Sequence, residues 1–96
     1  MSQLTLISTS DRPLKPLVEA ALVNELRSLE SAIRVSERNV SEFEIKYGMG
    51  TTEFIRRFEN DEIEESPDME DWIGEHRLLE RLREKAEALK GIEFAN

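Results

Sequence analysis

Apolar residues return at intervals of four and three along one long segment: Leu22, Leu26, Leu29, Ile33, Val40, Phe43 and Tyr47, with Ser36 in the one slot that interrupts the run. Leu14 and Val18 extend the stripe backwards in steps of four. That spacing keeps one face of an α-helix apolar, and about four heptad-like repeats of it resemble a coiled-coil seam. Arg27, Glu30, Arg34, Glu37, Arg38, Glu42 and Lys46 fall off the seam, where water accepts them. Pro13 and Pro16 sit in the first turn, whose N–H groups have no helical partner. Ser10 or Asp11 can cap that end. Either Gly48 or Gly50 can take the left-handed turn that stops a helix. A long helix over about residues 13–47 follows.

Thr51 or Thr52 can cap a short second helix, about 52–60, with Phe54, Ile55 and Phe58 on one side. Next, residues 59–71 hold eight acids among thirteen positions and no base, so self-repulsion makes their first half a loop. Ser66-Pro67-Asp68 then reads as a helix start: a cap, a proline at the first position, an acid in the first turn. The third helix runs about 67–90 on Trp72, Leu79 and Ala86, seven apart, interleaved with Leu82 and Leu89. Gly91 is its stop, and Arg83, Lys85 and Lys90 suit the negative end of its dipole. Ile92-Glu93-Phe94 alternates like a short strand that can pair with Leu4–Ile7. The fold class is all-α: a helical hairpin with a short helix between its arms, in a single domain over 1–96.

At 96 residues the chain is one domain, and a compact globule of that length has a radius of gyration of about 12–13 Å. The first helix alone would be about 52 Å long. It cannot lie inside such a globule without bending. A kink near Ser36–Asn39, where the stripe is weakest, is one solution. The other is a homodimer in which Leu22, Leu26, Leu29, Ile33 and Val40 meet a second copy, since monomers seldom expose such a patch.

Charge narrows the partners. There are 21 acids against 13 bases, a net charge of −8. Residues 1–50 carry seven acids and six bases, and residues 51–96 fourteen and seven, so the excess lies in the second half. Such a chain does not bind nucleic acid by itself, nor an anionic membrane, since both require a basic face. The absence of cysteine removes disulfides, thiolate metal sites and cysteine nucleophiles. No apolar run approaches 18 residues and the first twelve residues do not read as a signal peptide, so a cytoplasmic protein is expected.

Little points to catalysis. His76 is the single histidine, and Ile73 stands where a Glu-x-x-His metal pair would need a carboxylate. A zinc site cannot be built from one histidine without cysteine. Glu64-Glu65-x-x-Asp68 has the spacing of magnesium-dependent nucleotide hydrolases, but Ser66-Pro67 begins a helix inside it. No phosphate loop, no dinucleotide fingerprint and no nucleophile with a base is present. The chain is read as no enzyme, without cofactor or metal, and Phe54, Phe58 and Trp72 are more often core than stacking platforms.

The segment from Lys46 onward carries a recurring pattern: Lys46-Tyr47-Gly48-Met49, Glu53-Phe54, Phe58, an acidic stretch, then Asp68 and Glu70-Asp71-Trp72 leading into a leucine-spaced helix. Over about residues 40–90 it resembles small bacterial and archaeal proteins that are commonly the antitoxin half of type II toxin–antitoxin modules. Asn60-Asp61 stands where many of those carry Gly-Glu, and the first helix here is longer. The resemblance implies a protein that covers a basic RNA-cleaving toxin. Glu62, Glu64, Glu65, Asp68, Glu70 and Asp71 would face the toxin, with Met69 and Trp72 as apolar anchors. The alternative is a self-associating structural or adaptor protein with no toxin partner.

Overall fold

The computed structural model describes residues 1–94, and its regular elements are α1 (Leu14–Tyr47), α2 (Thr51–Glu59) and α3 (Pro67–Lys90). The helix boundaries lie within one residue of those expected. The terminal pairing does not form: among the described residues no strand occurs, and Leu4–Ile7 is exposed coil. A lone two-stranded ribbon is marginal in water, and segments of three and four residues offer too few ladder bonds to hold one. Phe94 instead lies near the start of α1, with Lys15 Nζ 5.8 Å from its ring centroid.

α1 runs unbroken through Ser36–Asn39, so the kink is not what accommodates its polar slot. Ser36 is buried, and its hydroxyl lies 2.8 Å from the Glu75 carboxylate and 3.3 Å from the Glu75 carbonyl, both acceptors on α3. Asn39 Nδ2 donates to the same carboxylate at 3.2 Å. The interruption in the apolar stripe is therefore a cross-helix hydrogen-bond site, satisfied by α3 and not by a bend. With α1 unbroken through it, the molecule is a rod of 60 × 24 × 17 Å with a radius of gyration of 19.1 Å. The compact globule expected from chain length is not formed. α1 is about 51 Å long and α3 about 36 Å, so the first turns of α1 project beyond its partner.

Chain ends of the helices differ from the expected caps in two places. Neither Ser10 nor Asp11 caps α1; Pro13 occupies that position, and Ser10 Oγ accepts from the Arg12 amide in the turn before it. Gly50, in extended conformation, precedes α2, and the Thr51 amide is bonded from outside by the Glu44 carboxylate of α1 at 2.7 Å. Ser66 caps α3 as its sequence suggests, accepting from the Met69 amide. Gly48 takes the left-handed turn, with φ of 63°. Gly91 stays right-handed.

The core has two parts. Along the antiparallel α1–α3 hairpin, Leu29, Val40, Leu79 and Ala86 are buried and Leu22, Leu26 and Ile33 half-buried. The residues expected at a dimer interface are thus the seam between α1 and α3 of one chain. Leu29 and Val40 have no surface left for a second copy, because a hairpin folds the heptad face against its own return helix. The second part is a dense cluster of Phe54, Met69, Trp72 and Ile73 where all three helices converge.

Candidate functional site

The convergent end is organised around Trp72. Its indole is fully buried, with Phe54 stacked on it at 3.9 Å and 8°. Phe43 and Tyr47 of α1 lie near-parallel to it at 5.7 and 5.9 Å. The seam spacing of α1 carries both of those rings to the same helix face one turn apart, and Trp72 meets them from α3. Trp72 Nε1 donates to Thr51 Oγ1 at 3.0 Å, and that hydroxyl donates onward to Glu44 Oε2 at 2.9 Å. One carboxylate of α1 thereby holds the first residue of α2 and, through it, the tryptophan of α3. Sequence reasoning missed this relay. In sequence Thr51 reads only as a cap, and nothing in the spacing of Glu44 marks it as the group that receives two donors.

The acidic residues divide on this frame. Asp68 faces α1, where Lys46 Nζ donates to it at 2.6 Å and the Tyr47 hydroxyl donates to the same oxygen. Those hydrogen bonds, first from Lys46 and then from Tyr47, hold the Asp68 carboxyl below its ordinary range. The bond to Asp68 is also the main cause that raises Lys46 and Tyr47 above theirs. Glu62 pairs with Arg56 at 3.1 Å. Arg56 and Arg57 both clasp Glu53, at 2.7 and 2.8 Å, and their hydrogen bonds lower its carboxyl to about 2. Of the six carboxylates expected to face a partner, Glu64, Glu65, Glu70 and Asp71 are exposed and in no ion pair, as are Glu59 and Asp61 of the same acidic stretch.

The two anchors assigned to a partner are a correction. Met69 and Trp72 are core residues, and their apolar surface is spent on Phe54, Ile73 and the rings of α1. Large aromatics gain most by complete burial, so a tryptophan at the sixth position of a helix that closes over two others goes inward. The apolar residue that does lie open near the acidic end is Ile45, 82% exposed on α1 beside Met49 and the Gly48–Gly50 turn.

A shallow groove runs between α1 and α3 on the side away from α2, bounded by Asn39, Glu42 and Lys46 across from Asp71, Gly74 and Leu78, with Phe43 at its floor. It mixes both signs of charge, since Lys46 and Arg81 border it with the acids. Among the described residues no three His, Asp or Glu side chains gather as a metal-ligand set. His76 is half-buried and pairs with Glu80 one turn on. Glu64 and Glu65 precede α3 while Asp68 lies in its first turn, so the three carboxylates do not share a helix face. Among the described residues no helix is long and apolar enough to cross a membrane. Comparison with protein-family models, with curated proteins and with solved structures finds no match to this chain.

Proposed function

We propose that this is a non-catalytic, antitoxin-like protein of the cytoplasm that neutralises a basic partner, a ribonuclease toxin, through its acidic helical end, and that it works as a homodimeric bundle. The observation that carries the reading is the run of exposed carboxylates without an ion pair between Glu59 and Asp71, Glu64, Glu65, Glu70 and Asp71 among them, on a frame held by the buried Trp72 cluster. A rigid presentation lowers the ordering cost of binding, and an acidic patch steers a basic surface toward it and excludes RNA from the same surface. Paired acids such as Glu62 and Asp68 contribute structure more than contact. Ile45 supplies the apolar contact that Met69 and Trp72 cannot.

The test is capture from the source cell at low salt with tagged native chain, beside a variant carrying Glu64→Lys, Glu65→Lys, Glu70→Lys and Asp71→Lys. A small basic protein that co-purifies with the native chain, is released by salt and is lost with the variant supports the reading. Equal capture by both removes the acidic end from the function. The second reading, a self-associating structural or adaptor protein, is favoured by a separate observation: Leu17, Val35 and Leu78 are open to solvent along the hairpin. Capture of nothing but the chain itself would favour it.

A further inference from the structure

Each arm of the hairpin carries one polar residue in an otherwise apolar seam. On α1 the seam positions from Leu22 to Tyr47 are apolar except Ser36. On α3 the run Trp72, Leu79, Leu82, Ala86 and Leu89 leaves one slot of the same three-and-four spacing open, and Glu75 fills it. The two exceptions meet. Ser36, 2% exposed, donates to one carboxylate oxygen of Glu75 at 2.8 Å. Asn39, one turn on, donates to the other at 3.2 Å. Both oxygens of the α3 carboxylate are thus held from α1.

The seam around them does not by itself choose an alignment. Away from the aromatic cluster, α1 offers Leu22, Leu26, Leu29 and Ile33, and α3 offers Leu79, Leu82, Ala86 and Leu89. Apolar side chains at heptad spacing fit one another in more than one register. α1 has 34 residues against 24 in α3, which leaves room for a slip of one seven-residue repeat, about 10 Å. The same stripe could instead meet α1 of a second copy. Both alternatives restore apolar contact in the leucine half and break the polar one. A slip toward the start of α1 sets Glu75 against Leu29, which has no donor, and pairing of α1 with its own copy leaves Ser36 and Asn39 without Glu75. A polar group enclosed without its partner costs more than the bond contributes when made, so the wrong alignments lose more than the right one gains. The Glu37–Arg83 ion pair across the same half joins two exposed side chains and selects weakly.

We infer that Ser36, Asn39 and Glu75 form a register lock, which fixes α3 of the same chain as the partner of α1 and fixes the alignment of the two. An apolar pair at these positions would hold the helices together as firmly, since well-packed hydrophobic replacements of enclosed polar pairs are often neutral or stabilising, but it would admit the other alignments. The register sets where the first turn of α3, with Asp68, Glu70 and Asp71, stands against α1. The lock acts within one chain and does not depend on what the acidic end binds.

The experiment compares the native pair with Ser36→Leu/Glu75→Leu in a chain spin-labelled at Ser28→Cys and Ala88→Cys, exposed positions on the two helices of a protein without natural cysteine. Double electron–electron resonance, with the labelled chain diluted in unlabelled chain, reads the distance between the arms. Sedimentation velocity reads the oligomeric state and urea unfolding the midpoint. The native pair is expected to give one narrow distance. The apolar variant is expected to keep its helix content and a midpoint at least as high, while showing a second or broadened distance or a new oligomer. Ser36→Ala/Glu75→Leu repeats the change with less volume, should two leucines overfill the layer. Glu75→Gln keeps an acceptor for Ser36 and is expected to keep the single distance. One narrow distance and an unchanged oligomeric state in both apolar variants would show that the aromatic cluster sets the register alone, and overturns the lock. A midpoint that falls in both makes the three residues an ordinary stabilising contact and overturns it too.

Discussion

The two ends of the rod bury their apolar residues by different means. At the α2 end three helices converge, Trp72 and Phe54 are fully enclosed, and every polar atom in the cluster has a partner. At the other end α1 has only α3 beside it and then outruns it, so the seam residues Leu14, Val18 and Leu22 are only half-buried, and Leu17 and Val23 off the seam stand open. The seam spacing is as regular there as elsewhere. What differs is the number of neighbours, and the lesson is that periodicity supplies a face for burial but not the body that covers it. A two-helix hairpin encloses one stripe per helix, whereas a third element turns a stripe into a core.

The contrast breaks most directly by truncation. Trp72→Ala is expected to cost about 3–5 kcal/mol, the range for removing a large buried aromatic, while Leu17→Ala in the monomer should cost under about 0.5. Urea unfolding followed by circular dichroism measures both, and equal losses would show the two ends to be one core. Thr51→Val comes next, at about 1–3 kcal/mol, since it leaves the Trp72 N–H without an acceptor and takes one donor from Glu44. A loss no larger than that of Thr52→Val would remove the hydroxyl relay from the account.

Two glycines sharpen the comparison with opposite signs. Gly48 has φ of 63° with open space around the missing Cβ, so Gly48→Ala meets only the backbone penalty, about 1 kcal/mol of destabilisation. Gly74 sits inside α3 with nothing within 4 Å of a built Cβ, and Gly74→Ala should stabilise by about 0.5–1 kcal/mol. Thermal melts of the two variants decide it, and shifts of the same sign would contradict the backbone conformations.

The smallest effect is electrostatic and belongs to the α2 end. Carboxyls lowered by partners stabilise the fold above their ordinary range, and that stabilisation is lost as pH falls through the lowered value. For Glu53 the window runs from 4.5 down to about 2, and Asp68 changes in the same direction. Both sites are solvent-screened, so the slope should be shallow. Denaturation midpoints from pH 6 to 2 should fall less steeply in Asp68→Asn than in the native chain, and an unchanged slope would leave the Lys46–Tyr47–Asp68 cluster without a part in acid stability.

Much of the local structure was legible from residue order. The 4-3-4 run, Ser66-Pro67-Asp68 and the glycines after Tyr47 and Lys90 bounded three helices to within a residue. The candidate site was less legible. Trp72 and Met69 lie beside Glu70 and Asp71 in sequence, and proximity suggested a shared surface; in space a helix sends neighbouring residues to different sides. Glu44 and Thr51 carry no local sign of the Trp72 relay, because it joins three helices. Ser36 interrupts the stripe of α1 in sequence, and its acceptor, Glu75, comes from α3.

Sequence by itself determined the helices, their ends and the concentration of acid in the second half. Those depend on spacing, caps and charge within a few residues of one another. Tertiary structure decided which apolar residues are enclosed, which carboxylates are already paired, and which stripe of the hairpin stays open. These outcomes depend on what lies across from each residue, and that is settled only when α1 and α3 lie antiparallel and α2 closes one end, leaving the other side of the rod uncovered.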